Sequence, residues 1–93
     1  MATGTAVINF GSTPSAEASV LVTGQTAITG TTFVEAFMQG SSTGDNDASA
    51  HRYAAVALRF IVDDLVAGTG FTIFATSIAG LATGTFNVKW VYP

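Results

Sequence analysis

Gly40-Ser41-Ser42-Thr43-Gly44 reads G-x-S-x-G, the pattern that in a hydrolase lifts a nucleophilic serine onto a sharp strand-to-helix turn. That chemistry needs a base, and His51 is the only histidine in the chain. With 93 residues the chain is too short for the parallel-sheet architecture that carries such a turn. Gly and Ser are also what a polar loop uses, and residues 40–47 are read as one. Asp45, Asn46, Asp47 and His51 bring possible metal ligands together. A calcium loop, however, needs Gly at its sixth place and a bidentate Glu at its twelfth. Counted from Asp45 those places hold Ala50 and Val56. Zinc needs three or four protein ligands, and a lone His beside an Asp falls short. Asp63 and Asp64 are adjacent, so on a strand they point to opposite faces and do not form an acid–base pair. Trp90 and Tyr92 could stack on a sugar, but they share a face with Phe86 and Val88, which reads as core. No catalytic residue, cofactor site or metal site is assigned.

The elements that carry these residues are unusually poor in charge. Charged residues make up 10% of the chain and apolar residues 48%, with no cysteine. A typical domain is about 25% charged. The length makes one domain, residues 1–93, and a domain of this size hides only about 60–65% of its unfolded surface. Small domains add disulfides, a metal or oligomerisation. With no cysteine and no metal site, oligomerisation is the expected source of extra stability. The lack of cysteine fits an intracellular product or a particle assembled in the cytoplasm. Net charge is −3, and Arg52, Arg59 and Lys89 form no cluster, which excludes a nucleic-acid partner from the expectation. No apolar stretch approaches the ~18 residues of a membrane span. The first residues lack a basic region followed by an apolar one, so the chain is expected to be the mature product without a signal peptide.

Fourteen threonines and ten glycines punctuate short apolar segments, the pattern of an antiparallel β-sandwich. In Thr85–Tyr92, Phe86, Val88, Trp90 and Tyr92 fall on one face and Thr85, Asn87 and Lys89 on the other. Ala6, Ile8 and Phe10 face inward in a first strand. Glu17–Thr23 is a second strand, Thr31–Met38 a third, and Phe71–Ile78 another. Ala-Thr-Gly-Thr occurs at 2–5 and at 82–85, read as a shared turn into a strand. Residues 47–66 admit two readings. Asp47 could cap a helix with Ala50, Tyr53, Ala54, Ala57, Leu58 and Ile61 at helical spacing. Alternatively, loop continues to about residue 53 and a strand follows, with Val56, Leu58, Phe60 and Val62 on one face. Phe60-Ile61-Val62 tips the reading toward the strand.

Residues 31–38 and 54–63 are then apolar on both faces. Val34, Ala36 and Met38 oppose Phe33, Glu35 and Phe37; the second segment sets Ala55, Ala57, Arg59 and Ile61 against its other face. A strand of a lone sandwich should show one polar face. The expected subunit or particle interface is therefore Phe33, Glu35, Phe37, Ala55, Ala57, Arg59 and Ile61. Glu35 and Arg59 either pair, within or between subunits, or reach solvent at sheet edges.

Four stretches carry a family resemblance: Ala6–Gly11, Val20–Gln25, Phe33–Phe37 and Gly84–Tyr92. With them the chain resembles the small structural proteins of tailed-bacteriophage virions. The resemblance implies a β-sandwich, jelly-roll-like, clamped on a particle and often trimeric, without catalytic residues. It does not decide between a capsid, neck or tail position; the leading expectation is a decoration or cement role on the virion, with the major capsid protein or another virion protein as partner. The alternative is a receptor- or glycan-binding module of a fibre or tail that uses the Gly40–His51 loop.

Overall fold

The alternation in the last segment becomes strand β6 (Thr85–Tyr92), whose Phe86, Val88, Trp90 and Tyr92 are all buried. In the computed structural model, which describes residues 1–93, it is preceded by β1 (Ala2–Asn9), β2 (Glu17–Val22), β3 (Glu35–Met38), α1 (Ala48–Ala57), β4 (Leu58–Val66) and β5 (Gly70–Ser77). The strands form two three-stranded antiparallel sheets, ordered β1-β6-β3 and β2-β5-β4. The protein is an all-β sandwich. β1 stacks over β2 and β3 over β4, so the apolar faces meet along the whole stack. The core between the sheets includes Ile8, Phe71, Ile73 and Val88, each fully buried.

The chain behaves as a folded ribbon. β1 lies along β6 and β2 along β5, and the two crossovers between sheets stay hydrogen-bonded as they turn the corner. Phe10 N–H donates to the Gly84 carbonyl at 2.9 Å, and Ser15 and Ala82 exchange both amide bonds. Wrapping a paired ribbon this way is the jelly-roll manner, here with two strands fewer than the eight of a full roll. Gly84 sits at the corner with φ +75, a conformation that favours glycine. The two Ala-Thr-Gly-Thr copies therefore differ. Residues 2–5 are strand proper, and Gly4 is glycine because a Cβ there would collide with the Trp90 indole.

Two boundaries differ from expectation. The third strand is only Glu35–Met38, because Thr29 and Thr32 close a turn with their own hydroxyls. Thr29 N–H donates to Thr32 Oγ1 at 2.9 Å, and the two hydroxyls lie 3.0 Å apart. Short hydroxyl side chains offer the backbone such an alternative to ladder pairing. Residues 54–63 are not one strand. Ala48–Ala57 is helix, and β4 begins at Leu58 with no loop between. Asp47 caps the helix through its carboxylate, which accepts the Ala50 N–H at 2.8 Å. Alanine-rich sequence keeps the helix intact to Ala57, and the β-branched and aromatic run then pairs with β5. Val56, expected in the core, is 82% exposed on the helix.

Candidate functional site

The polar residues of the 41–51 segment that were singled out for chemistry are brought together as a structural clasp, while Asp63 and Asp64 stand exposed on β4, apart from it. Thr43 Oγ1 receives the Asp45 and Asn46 amides and donates to the Thr85 carbonyl at 3.0 Å. Asp45 Oδ2 accepts both the Thr85 N–H at 3.0 Å and the Thr85 hydroxyl at 2.7 Å. Asn46 Nδ2 donates to the Thr83 and Thr85 carbonyls. Asn87 Nδ2 donates to Ser41 Oγ and to the Ser42 carbonyl. The 40–47 loop is thus stitched to the start of β6.

His51 completes the clasp. It is 0% exposed, and its ring meets Phe86 edge-on at 5.1 Å. The Asn87 N–H donates to Nε2 at 2.8 Å, so Nε2 is the acceptor nitrogen. Nδ1 lies 2.9 Å from the Asp47 carbonyl and therefore carries the proton. Both ring nitrogens are held by backbone groups, so His51 is not placed to serve Ser42 as a base. Ser42 is exposed on the loop. No three of the His, Asp and Glu side chains cluster as metal ligands.

A shallow polar groove of about 570 Å³ runs beside the clasp, lined in part by Asn9, Asp45, Asn46 and Thr83. Three of its side chains hold the backbone around it: Asn9 Oδ1 accepts the Gly11 amide, Asp45 accepts from Thr85, and Asn46 donates to two carbonyls. Trp90 and Tyr92 are buried inside the sandwich and offer no sugar platform there.

The apolar surface tells more. The accessible area is 5240 Å², close to the ~5000 Å² ordinary for 9.5 kDa. A chain that is 48% apolar but only ordinarily compact must leave apolar side chains outside. On the β1-β6-β3 sheet, Val34, Ala36 and Met38 turn inward, and Phe33 stands 87% exposed beside exposed Glu35 and Phe37. On the β2-β5-β4 sheet, register places Ser19, Phe74 and Ile61 in one row and Glu17, Thr76 and Arg59 in the next. Ile61 is 66% exposed and Leu21 64%.

The seven expected interface residues therefore lie in three places. Phe33, Glu35 and Phe37 share one outer face, Arg59 and Ile61 occupy the opposite one, and Ala55 and Ala57 belong to α1. All are exposed except Ala57, which is half-buried. Glu35 and Arg59 point away from each other on opposing sheets, so a pair within one chain is excluded by the topology. Leu21, Phe74 and Ile78 were not among the expected residues. The alternation of 71–78 already put Phe74 opposite Phe71 and Ile73, which was the signal for it.

The two packed sheets and their outer faces define an all-β sandwich module. No protein family, no curated protein and no solved structure matches the chain. No helix is long and apolar enough to cross a membrane.

Proposed function

We propose that this protein is a structural component that works by being covered: a homo-oligomeric coat module of the virion decoration or cement type. The observation that supports this reading is the exposure of large apolar side chains on both outer sheet faces, Phe33 and Phe37 on one and Leu21, Ile61 and Phe74 on the other. Large exposed apolar patches mark association surfaces. Two such faces on one small sandwich suit a piece that lies between neighbouring subunits of the particle. No reaction is involved. Contact would add buried apolar area across joints, at roughly 25 cal/mol for each Å² removed from water.

The test is reconstitution. The purified protein is added to particles that lack it, and bound protein and particle heat resistance are measured. Stoichiometric binding with raised heat resistance is expected, and Phe33→Lys and Ile61→Lys should each weaken it. A protein that binds no particle, or binds without changing heat resistance, would overturn the reading.

A further inference from the structure

The sandwich has two lateral sides, and they are finished differently. On one side β3 and β4 are the outermost strands, and α1 packs beside both. On the other side β1 and β2 are outermost, and no helix or strand covers them. Most edges carry a device that discourages further pairing. β4 bears Arg59, Asp63 and Asp64, with a one-residue register shift between Asp63 and Val66 and Asp64 at φ 52. β3 has only four residues, and β2 opens on Glu17. β1 has none of these. It runs Ala-Thr-Gly-Thr-Ala-Val-Ile-Asn with no charge, no proline and no bulge, in unbroken register with β6 from Ala2 to Asn9. A long unblunted edge strand is a template for another strand.

The phase of the free backbone groups follows from Asn87. Its N–H donates to His51 and its carbonyl accepts the Gln39 N–H, both on the β3 side. Asn87 therefore turns its backbone away from β1, and its register partner Val7 turns away from β6. Thr3, Thr5 and Val7 thus present unpaired N–H and C=O groups along the open edge. Their side chains stand on the outer face, while Gly4, Ala6 and Ile8 face the core side.

We infer that β1 pairs with β1 of a second copy, antiparallel about a two-fold axis at Thr5. Strand-to-strand bonding needs outward-facing groups on both partners, and full overlap of the three outward-facing residues puts Thr5 opposite the second copy's Thr5 and Thr3 opposite its Val7. That register forms about six backbone hydrogen bonds. Thr–Thr and Thr–Val are favourable cross-strand neighbours, and no like charges meet because the strand has no charge. On the core side Gly4 faces Ala6, small against small. The result is a continuous six-stranded sheet, β3-β6-β1 joined to β1-β6-β3. A contact of this kind is isologous and builds dimers or even-numbered assemblies, in place of the trimer implied by resemblance. The inference stands on β1 alone and is independent of the virion reading.

The test is solution mass by light scattering over a dilution series, for the full chain and three variants. Wild type should show twice the chain mass. Thr5→Pro removes an N–H that no internal strand uses, and Thr5→Lys sets like charges against each other at the axis. Each should show the single-chain mass with wild-type near-ultraviolet circular dichroism, and if the proline variant does not fold, the lysine variant decides. Ile61→Lys, on the other sheet, should keep the doubled mass. Amides of Thr3, Thr5 and Val7 should be protected from hydrogen exchange in wild type and lose that protection in Thr5→Lys. A single-chain mass for wild type, a doubled mass for Thr5→Lys, or unprotected Thr3, Thr5 and Val7 amides in wild type would each overturn the inference.

Discussion

The Asn87 main-chain N–H donates to Nε2 of His51 at 2.8 Å, and this one bond ties α1 to β6 across a fully buried ring. It takes the place of a ladder bond that the short β3 cannot supply, because β3 ends at Met38. Replacing the ring with an isosteric apolar side chain leaves the amide buried and unsatisfied. His51→Leu should therefore lower unfolding stability by about 1–3 kcal/mol. Urea denaturation measures this, and a cost near zero would show that the bond contributes nothing.

The helix cap offers a cleaner comparison. Asp47 accepts the Ala50 amide through its side chain. Asp47→Ala should cost about 1 kcal/mol, whereas Asp47→Asn keeps an acceptor oxygen and should cost clearly less. The difference between the two, read as a shift in denaturation midpoint, isolates the cap from any effect of charge.

Gly4 and Trp90 are register partners, and the six-membered ring of the indole lies over the glycine. Gly4→Ala forces the ring to move in a packed core, a change that costs about 1–3 kcal/mol. The same substitution made together with Trp90→Val should cost less than the sum of the two single changes, because the clash is gone. Strict additivity in that cycle would show that the two side groups do not meet.

Trp90 Nε1 is buried and has no hydrogen-bond partner. Trp90→Phe removes that orphan along with some apolar area. Its cost should fall below the about 3–5 kcal/mol typical of truncating a buried aromatic to alanine. The near-ultraviolet signal of the chain's single tryptophan disappears with it, so fluorescence of the tyrosines or calorimetry is the measurement.

Ile61 and Phe33 stand on opposite outer faces and touch no core. Ile61→Lys and Phe33→Lys should change stability of the isolated chain by no more than about 0.5 kcal/mol. A larger loss in either would show that the side chain contributes to the fold itself rather than to a contact beyond it.

The inward faces of most strands were legible from period-two alternation. Phe86, Val88, Trp90 and Tyr92, and likewise Ile8, Phe71 and Ile73, are buried where the pattern puts them. Residues 54–63 were not legible as a unit. Ala54-Ala55-Val56-Ala57 is compatible with either period, and the decision fell to Asp47 and to His51, whose partners lie 3 and 36 residues away. Alternation in residues 31–38 separates Phe33, Glu35 and Phe37 from Val34, Ala36 and Met38 but does not say which set looks inward; the packing of β3 leaves the first set exposed. Ala55 and Ala57 belong to the helix instead, because α1 runs to Ala57 before β4 begins at Leu58, while the alternation of Arg59 and Ile61 beyond that boundary is unchanged.

By itself the amino-acid sequence determined the sandwich, the poverty of charge and the identity of the core strands. These depend on local alternation, which any neighbour in the chain can express. Only the tertiary structure decided that Glu35 and Arg59 look away from each other, that the polar loop closes on β6 as a clasp, and that β1 is left without a neighbour. Each of those depends on which strand pairs with which. Pairing is a long-range choice made by the packing of both sheets together, and no window of the sequence contains it.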